Sequence, residues 1–324
     1  MSIRNGEILF IKSVKDGIPN RDPLQDSDVR RVFPEEDGRI SLSDVSIKRD
    51  VRDYVLEEEK DGGQSKCNYI FVQERMNEKG KLLGRQSLAQ WIAEQVGKEK
   101  EAKQDMKSVL LEHSFDVRTF GIVYSVTTPK FHLTGPVQFG WAHSLHPVDS
   151  QYVQGTVVMP SSDEKVDAKG NEEQGKTQGT IWTSYIVPFA VFAMSGVINA
   201  KNAEHSHMTI ADQELLLKAL WRGTLHRQAR GRGQQQPLFL VHIEYNDPFF
   251  RIGYLEDYIT LLPEGDVWRK DGKRPSSLKE VQLDVSNLLH VIEKYNHKIH
   301  NVRIWRDDRL HVIGNTSAYE QPLW

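Results

Sequence analysis

Cysteine is almost absent: Cys67 is the only one in 324 residues. That excludes a disulfide framework and a thiolate zinc site, and it fits a reducing compartment. Long hydrophobic runs are missing too. Ile8-Leu9-Phe10-Ile11 is too short for a signal-peptide core, and the stretch from Ile186 to Met194 is interrupted by Pro188. The expectation is a soluble, cytoplasmic chain with no membrane contact. Basic charge is not in excess, with 42 Lys and Arg against 45 Asp and Glu and a formal net charge of −3. Such a chain cannot coat nucleic acid through bulk charge, so any polyanion must meet a local patch. With 23 Gly and 13 Pro, collagen-like and broadly disordered classes are out. The length suffices for one large domain with insertions or two modest ones.

Several catalytic signatures are lacking as well. There is no Gly-x-Gly-x-x-Gly, no His-Glu-x-x-His and no Gly-x-Ser-x-Gly, which disfavours Rossmann enzymes, zincins and hydrolase elbows. His205 and His207 form a His-x-His pair without an obvious third ligand and read as a solvated loop. No cofactor is expected, and no internal repeat is visible.

What is present is an alternation of strands and helices. Glu7 to Val14 reads as a strand ended by turn residues. Ser41 or Ser43 can cap a helix over 44–58, with Ile47, Val51, Tyr54 and Val55 as its buried stripe. A second strand is expected at Asn68 to Gln73, and Ser87 should cap a helix burying Leu88, Trp91, Ile92 and Val96. The charge run from Lys98 to Lys107 reads as an exposed helix face or connector. A third strand is placed at Val117 to Val126.

Residues 160–180 hold almost no large apolar side chain and cannot pack a core. Flanked by apolar arms, they read as a hairpin-like projection. Thr209 and Asp212 make a capping box, and Pro237 to Tyr245 is a fourth strand. A late helix from Ser277, with Val281, Val285, Leu288, Leu289 and Ile292 on one face, precedes a hairpin around Asp307-Asp308. The skeleton is α+β, in the ferredoxin-like split βαβ order.

Candidate binding residues sit in local voids of acidity. On the 44–58 helix, counted from Ile47, Lys48, Arg52 and Arg49 fall near roughly 100°, 140° and 200°, a shared basic side. No Asp or Glu lies between Glu214 and Glu244, while Arg227-Gln-Ala-Arg-Gly-Arg-Gly-Gln-Gln-Gln236 supplies guanidinium forks and flexible glycine. Forks suit phosphate oxygens, and glycine admits a close backbone approach. A second acid-free stretch, between Asp116 and Asp149, holds Arg118, Lys130, Gln138, three His, and Phe139 and Trp141. Aromatics interleaved with bases suit unstacked single strands, but such residues are equally often core, and periodicity does not decide between the two.

One ordered set of motifs carries a resemblance. It comprises Glu7-Ile-Leu-Phe-Ile, Pro19-Asn-Arg-Asp-Pro23, Gly38-Arg-Ile-Ser-Leu-Ser-Asp-Val-Ser-Ile-Lys-Arg-Asp-Val-Arg52 and Val117-Arg-Thr-Phe-Gly121. It continues with Thr134-Gly-Pro-Val-Gln-Phe139, Ser144-Leu-His-Pro-Val148, Gln154-Gly-Thr156 and Val187-Pro-Phe189. Over most of its length the chain resembles the Cas7 backbone subunits of type I CRISPR surveillance complexes (Cascade), in the RAMP superfamily. It is most similar to the Csh-type branch of type I-B.

The resemblance implies one hand-shaped domain over 1–324. Its parts would be a modified RRM-like palm, helical fingers at 60–115 and a β-hairpin thumb at 150–183 with Met159, Ile181 and Trp182 at its arms. It implies CRISPR RNA (crRNA) contacts from Asn20, Arg21, Lys48, Arg49, Arg52 and Gln138, and from Arg227, Arg230, Arg232 and Gln234. The partners implied are crRNA, a target DNA strand, further copies in a head-to-tail filament, and other Cascade subunits. No RNP-type aromatic motif lies on the central strands, so base stacking on the sheet is not implied. The function implied is a non-catalytic scaffold that grips sugar and phosphate while the guide bases read sequence. The alternative is a metal-dependent endoribonuclease using Asp22, Asp26 or Asp28 in the loop after the first strand.

Overall fold

The computed structural model describes residues 2–25, 28–126, 130–157, 181–229, 231–263 and 274–324. Strand β1 (Gly6–Gly17) is the centre of the molecule. Its apolar residues alternate between two cores: Ile8, Phe10 and Val14 face one, Leu9 and Ile11 the other. A strand covered on both faces needs an unbroken apolar run, which is why β1 shows no polar alternation over Ile8 to Ile11. On either side of β1, antiparallel, lie β8 (Ile181–Ile198) and β9 (Gln234–Tyr245).

The main sheet continues outward with β12 (Ile299–Arg306) beside β9, and with β6 (Ala142–Ser144) and β2 (Ser41–Leu42) beyond β8. Two further strands, β5 (Val137–Phe139) and β7 (Gln151–Thr156), pair with other parts of β8. Helices α1 (Asp44–Glu58) and α6 (Ile210–His226) cover the first face with Ile47, Val51, Val55, Leu216 and Leu220. The second face is covered by α7 (Ser286–Lys294) and a small sheet of β10 (Thr260–Leu262), β11 (Gln282–Asp284) and β13 (His311–Ile313).

A separate cluster forms around α2 (Arg85–Gln95), α3 (Glu99–His113) and the β3 (Gly121–Tyr124)–β4 (Phe131–Thr134) pair. The architecture is mixed α+β, with an antiparallel main sheet and seven α-helices among the described residues.

Several elements match their sequence expectation. Helix α1 has the expected bounds with Ser43 at its N-cap position, although the Ser43 side chain makes no capping bond. The Thr209–Asp212 capping box is formed in both directions.

Others differ, each for a visible reason. Residues 115–120 form α4 (Phe115–Phe120), not a strand. The Asp116 carboxylate accepts from the backbone N–H of Phe71 and Val72, and Arg118 forks onto Asp212, so tertiary anchors override β propensity. The same Asp116 bonds replace a ladder partner for the expected strand at Asn68 to Gln73, which has only one bridge, Tyr69 to Ser114. Helix α2 starts at Arg85, ahead of Ser87, with Gly84 as its N-cap.

The helix expected from Ser277 begins only at Ser286. Val281, Leu283 and Val285 are all buried and alternate with less buried neighbours, the period of a strand. After the turn at Asp307, β13 leaves β12 to run parallel to β11, so no terminal hairpin forms. His205 lies on a short helix, α5 (Ala200–Ser206), not in a loop, and His207 is its left-handed C-cap.

Candidate nucleic-acid interface

One end of β1 builds a charged, largely enclosed network. Lys12 is the one cation inside the strand's buried length, 2% exposed, and its Nζ donates to Asp50 Oδ2 at 2.8 Å and Gln235 Oε1 at 2.9 Å. Burial presses the Lys12 pKa below its ordinary value, and the Asp50 carboxylate partly offsets that.

Asp50, on α1 and 1% exposed, also accepts from Arg227 Nη1 at 2.8 Å and Arg232 Nη2 at 3.3 Å. Arg227 reaches further, to the Ser46 carbonyl at 3.2 Å and to Asp53 at 3.3 Å. Asp53 in turn holds Arg49 at 2.6 Å. Burial opposes the charge of Arg49, but the bonds to Asp53 and Glu74 raise its pKa overall. Four cations thus surround Asp50 and Asp53, leaving a local positive surplus within a chain of net −3.

Glycine brings the basic loop onto this network. Lys15 pairs with Gln234, and the Ile18 N–H donates to the Gly231 carbonyl at 2.7 Å. The Gly17 and Gly233 backbones approach so closely that a Cβ on Gly17 would lie 2.0 Å from Gly233 N, and Gly233 itself has φ +72°. Arg21, exposed, donates to Ser184 Oγ on β8 at 3.3 Å and lies against Gly231. The Asn20 Nδ2 is enclosed without a protein acceptor. Asn20, Arg21, Arg49, Arg227, Arg232 and Gln234 therefore meet around one end of β1.

Three other expected residues lie elsewhere. Lys48 is paired with Asp44 at 2.8 Å and Arg52 with Asp116 at 2.8 Å; both sit over the Phe120 ring on the flank of α1 that faces α4. Arg52 is buried. Gln138 lies beside Val197, near the far end of β8 from Ser184, and its amide donates to the Gly135 carbonyl. Phe139, which could be an exposed platform or a core residue on sequence alone, is buried against Phe120 in the core; Trp141 is exposed, with Arg30 over its ring. Arg230, Met159 and Asp26 lie outside the described residues.

The expected projection at 160–180 lies outside the described residues, and the strands on either side of it are described. β7 and β8 pair from Gln151↔Ile186 to Thr156↔Ile181, and Trp182 covers Gly155, where a Cβ would lie 2.4 Å from the indole. Ile181 is 68% exposed, and Tyr152 packs edge-on against Tyr185.

The carboxylates after β1 serve their own loop. Asp22 accepts from the Leu24 N–H and pairs with Arg30 at 3.7 Å, while Asp28 accepts from the Val29 N–H. Among the described residues no three His, Cys, Asp or Glu side chains are grouped to hold a metal.

Sequence reasoning missed Lys12, Asp50 and Gln235. The available signal was a lone Lys in an otherwise apolar strand, which needs a buried counter-charge. The string Gly170-Asn-Glu-Glu-Gln-Gly175-Lys176-Thr177 also matches a P-loop pattern. A P-loop needs a strand before it and a helix after it. These residues lie outside those described.

Comparison with known proteins agrees with this geometry. The family model for "CRISPR-associated protein Cas7" matches residues 4–286. A protein of that name from Haloferax volcanii is 24% identical over an alignment 346 positions long, gaps included, that covers 100% of this chain and 93% of that protein. A chain of a solved "CRISPR RNA-guided surveillance complex, pre-nicking" has the same fold, with a TM-score of 0.55 at 14% identity. That alignment covers 98% of this chain and 95% of the other. With its sheet, its flanking helices and 283 consecutive residues inside the family model, the chain belongs to the Cas7 family of CRISPR-associated proteins.

Proposed function

We propose that this protein is the crRNA-binding backbone subunit of a type I CRISPR surveillance complex, of the type I-B, Csh-type branch. The observation that carries the proposal is the convergence of Arg21, Arg49, Arg227 and Arg232 at one end of β1, on a chain with no overall basic charge. Guanidinium forks and close-packed glycine backbone suit sugar and phosphate, so the protein holds the guide by its backbone and leaves the bases to pair.

In this reading Lys48 and Arg52 contribute from the flank of α1 that faces α4, Gln138 from near the other end of β8, and Arg230 belongs to the same basic sequence as Arg227 and Arg232. The order β9-β1-β8-β6, with α1 and α6 on one face, supports an RRM-like palm of the split βαβ type. The cluster of α2, α3, β3 and β4 supports fingers at 60–115, and the β7–β8 ladder supports a thumb at 150–183. Copies would assemble head to tail along crRNA in the cytoplasm, beside other Cascade subunits, and present the guide to a target DNA strand.

The test is the RNA that the purified protein carries. A discrete RNA of CRISPR-repeat length supports the reading; bulk cellular RNA, or none, opposes it. Complementary RNA added with Mg²⁺ should stay intact. Regular cuts abolished by Asp22→Ala, Asp26→Ala or Asp28→Ala would replace the scaffold with the endoribonuclease.

A further inference from the structure

Asp50 is an acidic residue buried directly beneath a surface read above as binding a polyanion, which is the wrong sign for such a place. Its geometry explains it. The two carboxylate oxygens are divided: Oδ2 takes the buried Lys12 ammonium, while Oδ1 takes both Arg227 Nη1 and Arg232 Nη2. Those two arginines lie at opposite sides of the same loop, one at the C-cap of α6 and one just before β9. Asp50 therefore ties both ends of that loop to α1.

Lys12 fixes Asp50 from below and is itself fixed by Gln235, the second residue of β9. The chain of contacts β9–β1–α1–loop closes on itself. Arg232 uses only Nη2 on Asp50, and its Nε has no protein acceptor.

We infer that Asp50 is a positioning residue for nucleic-acid binding, holding Arg227 and Arg232 in place so that their remaining guanidinium N–H groups are a preformed pair of donors for successive backbone phosphates. This rests on the RNA-binding function proposed above. Flexible arginines lose rotamer freedom when they grip a phosphate, and a buried carboxylate that has already ordered them removes part of that cost. The inference makes a prediction whose sign differs from simple electrostatics. Removing one negative charge takes the net charge from −3 to −2, and charge alone would then strengthen binding to RNA.

The experiment uses the full-length chain and a mixed-sequence single-stranded RNA oligonucleotide as probe. Asp50→Asn should weaken RNA binding about tenfold or more and flatten its salt dependence by one to two contacts. In the same variant, the amides of Ile18 and Arg232, bonded to Gly231 and Ala229, should exchange hydrogen faster. Because Asp50→Asn strands a buried Lys12, a second variant, Lys12→Met with Asp50→Leu, removes both buried charges together and should keep the fold. It too should bind RNA weakly, with a loosened loop.

Unchanged or tighter binding by the double variant would overturn the inference. A weaker affinity at unchanged salt slope would also overturn it, assigning Asp50 to fold stability alone. If the unaltered protein does not bind the oligonucleotide, the RNA-binding function itself fails. The exchange rates then decide separately whether Asp50 orders the loop.

Discussion

His242 lies on β9 with its ring fully enclosed, and burial, reinforced by the Arg303 guanidinium, pulls its pKa from 6.5 to about 3. Its Nδ1 faces Arg303 Nη2 at 3.2 Å, which suits a neutral ring accepting there and carrying its proton on Nε2. His146 follows the same logic: burial lowers it to about 4 against a smaller opposing bond to the Pro147 carbonyl. Both imidazoles stay neutral in the fold, whereas the unfolded chain takes up these protons once the pH drops below about 6.5. Their contribution is therefore present above that value and is lost as the pH falls toward 4 and 3. Urea midpoints should decline between about pH 7 and pH 5, and His242→Gln, which can still accept from Arg303, should make that decline shallower. An equal slope in the variant would mean that His242 binds its proton equally well in the folded and unfolded chain, against the burial argument.

At the scale of elements, the contact between α1 and α6 is set by a missing side chain. Gly223 on α6 faces the Asp50 carbonyl on α1, where a Cβ would sit 2.3 Å from the oxygen and 3.3 Å from Tyr54 Cβ. Alanine is the better helix former by about 1 kcal/mol, but the obstacle is backbone and cannot rotate away. Gly223→Ala should lower stability by about 1–3 kcal/mol through overpacking, read as a lower urea midpoint at unchanged m. A higher midpoint would show that the helices separate without loss.

The same elements show how far the sequence could be read. Helix α1 and the capping box of α6 were legible because their signals are local: apolar spacing along a helix, and a Thr-x-x-Asp string. Helix α4 was not, because Asp116 and Arg118 are tied to Val72 and Asp212, far away in sequence. The segment from Val281 to Val285 satisfies both a helical stripe and a strand alternation, and only its pairing with β10 and β13 decides. For the site, the basic residues could be listed from voids in acidity, but not Asp50 beneath them. Nor could charge pattern separate Arg227, turned toward the cluster, from Gln138 near the other end of β8.

For the whole molecule, charge and shape bear on assembly. A subunit repeated along an extended guide needs two different patches that meet, since a two-fold interface closes after two copies. A net charge of −3 keeps like-charge repulsion between neighbours small, while the positive surplus stays confined to the end of β1. The thumb proposed at 150–183 would then set the spacing. Its root is rigid: six register pairs join β7 to β8, Trp182 lies on Gly155, and the ladder reaches Thr156↔Ile181 with Ile181 exposed. An exposed apolar side chain at the tip of a paired strand gains a partner if it wedges against a displaced base. Unstacking one base costs a few kcal/mol, which apolar insertion and backbone contacts can offset. Deleting residues 160–178 and bridging the gap with a short Gly linker leaves every pair of that ladder and both cores of the main sheet intact. The shortened protein should melt near the full-length protein and still bind guide RNA through the basic cluster. If the thumb displaces guide bases at regular intervals along a filament, chemical probing of that RNA should show the pattern lost, and filaments seen by electron microscopy should lose their even spacing. Unchanged spacing with unchanged displaced nucleotides would remove this stretch as the thumb. Loss of folding would instead make it part of the palm.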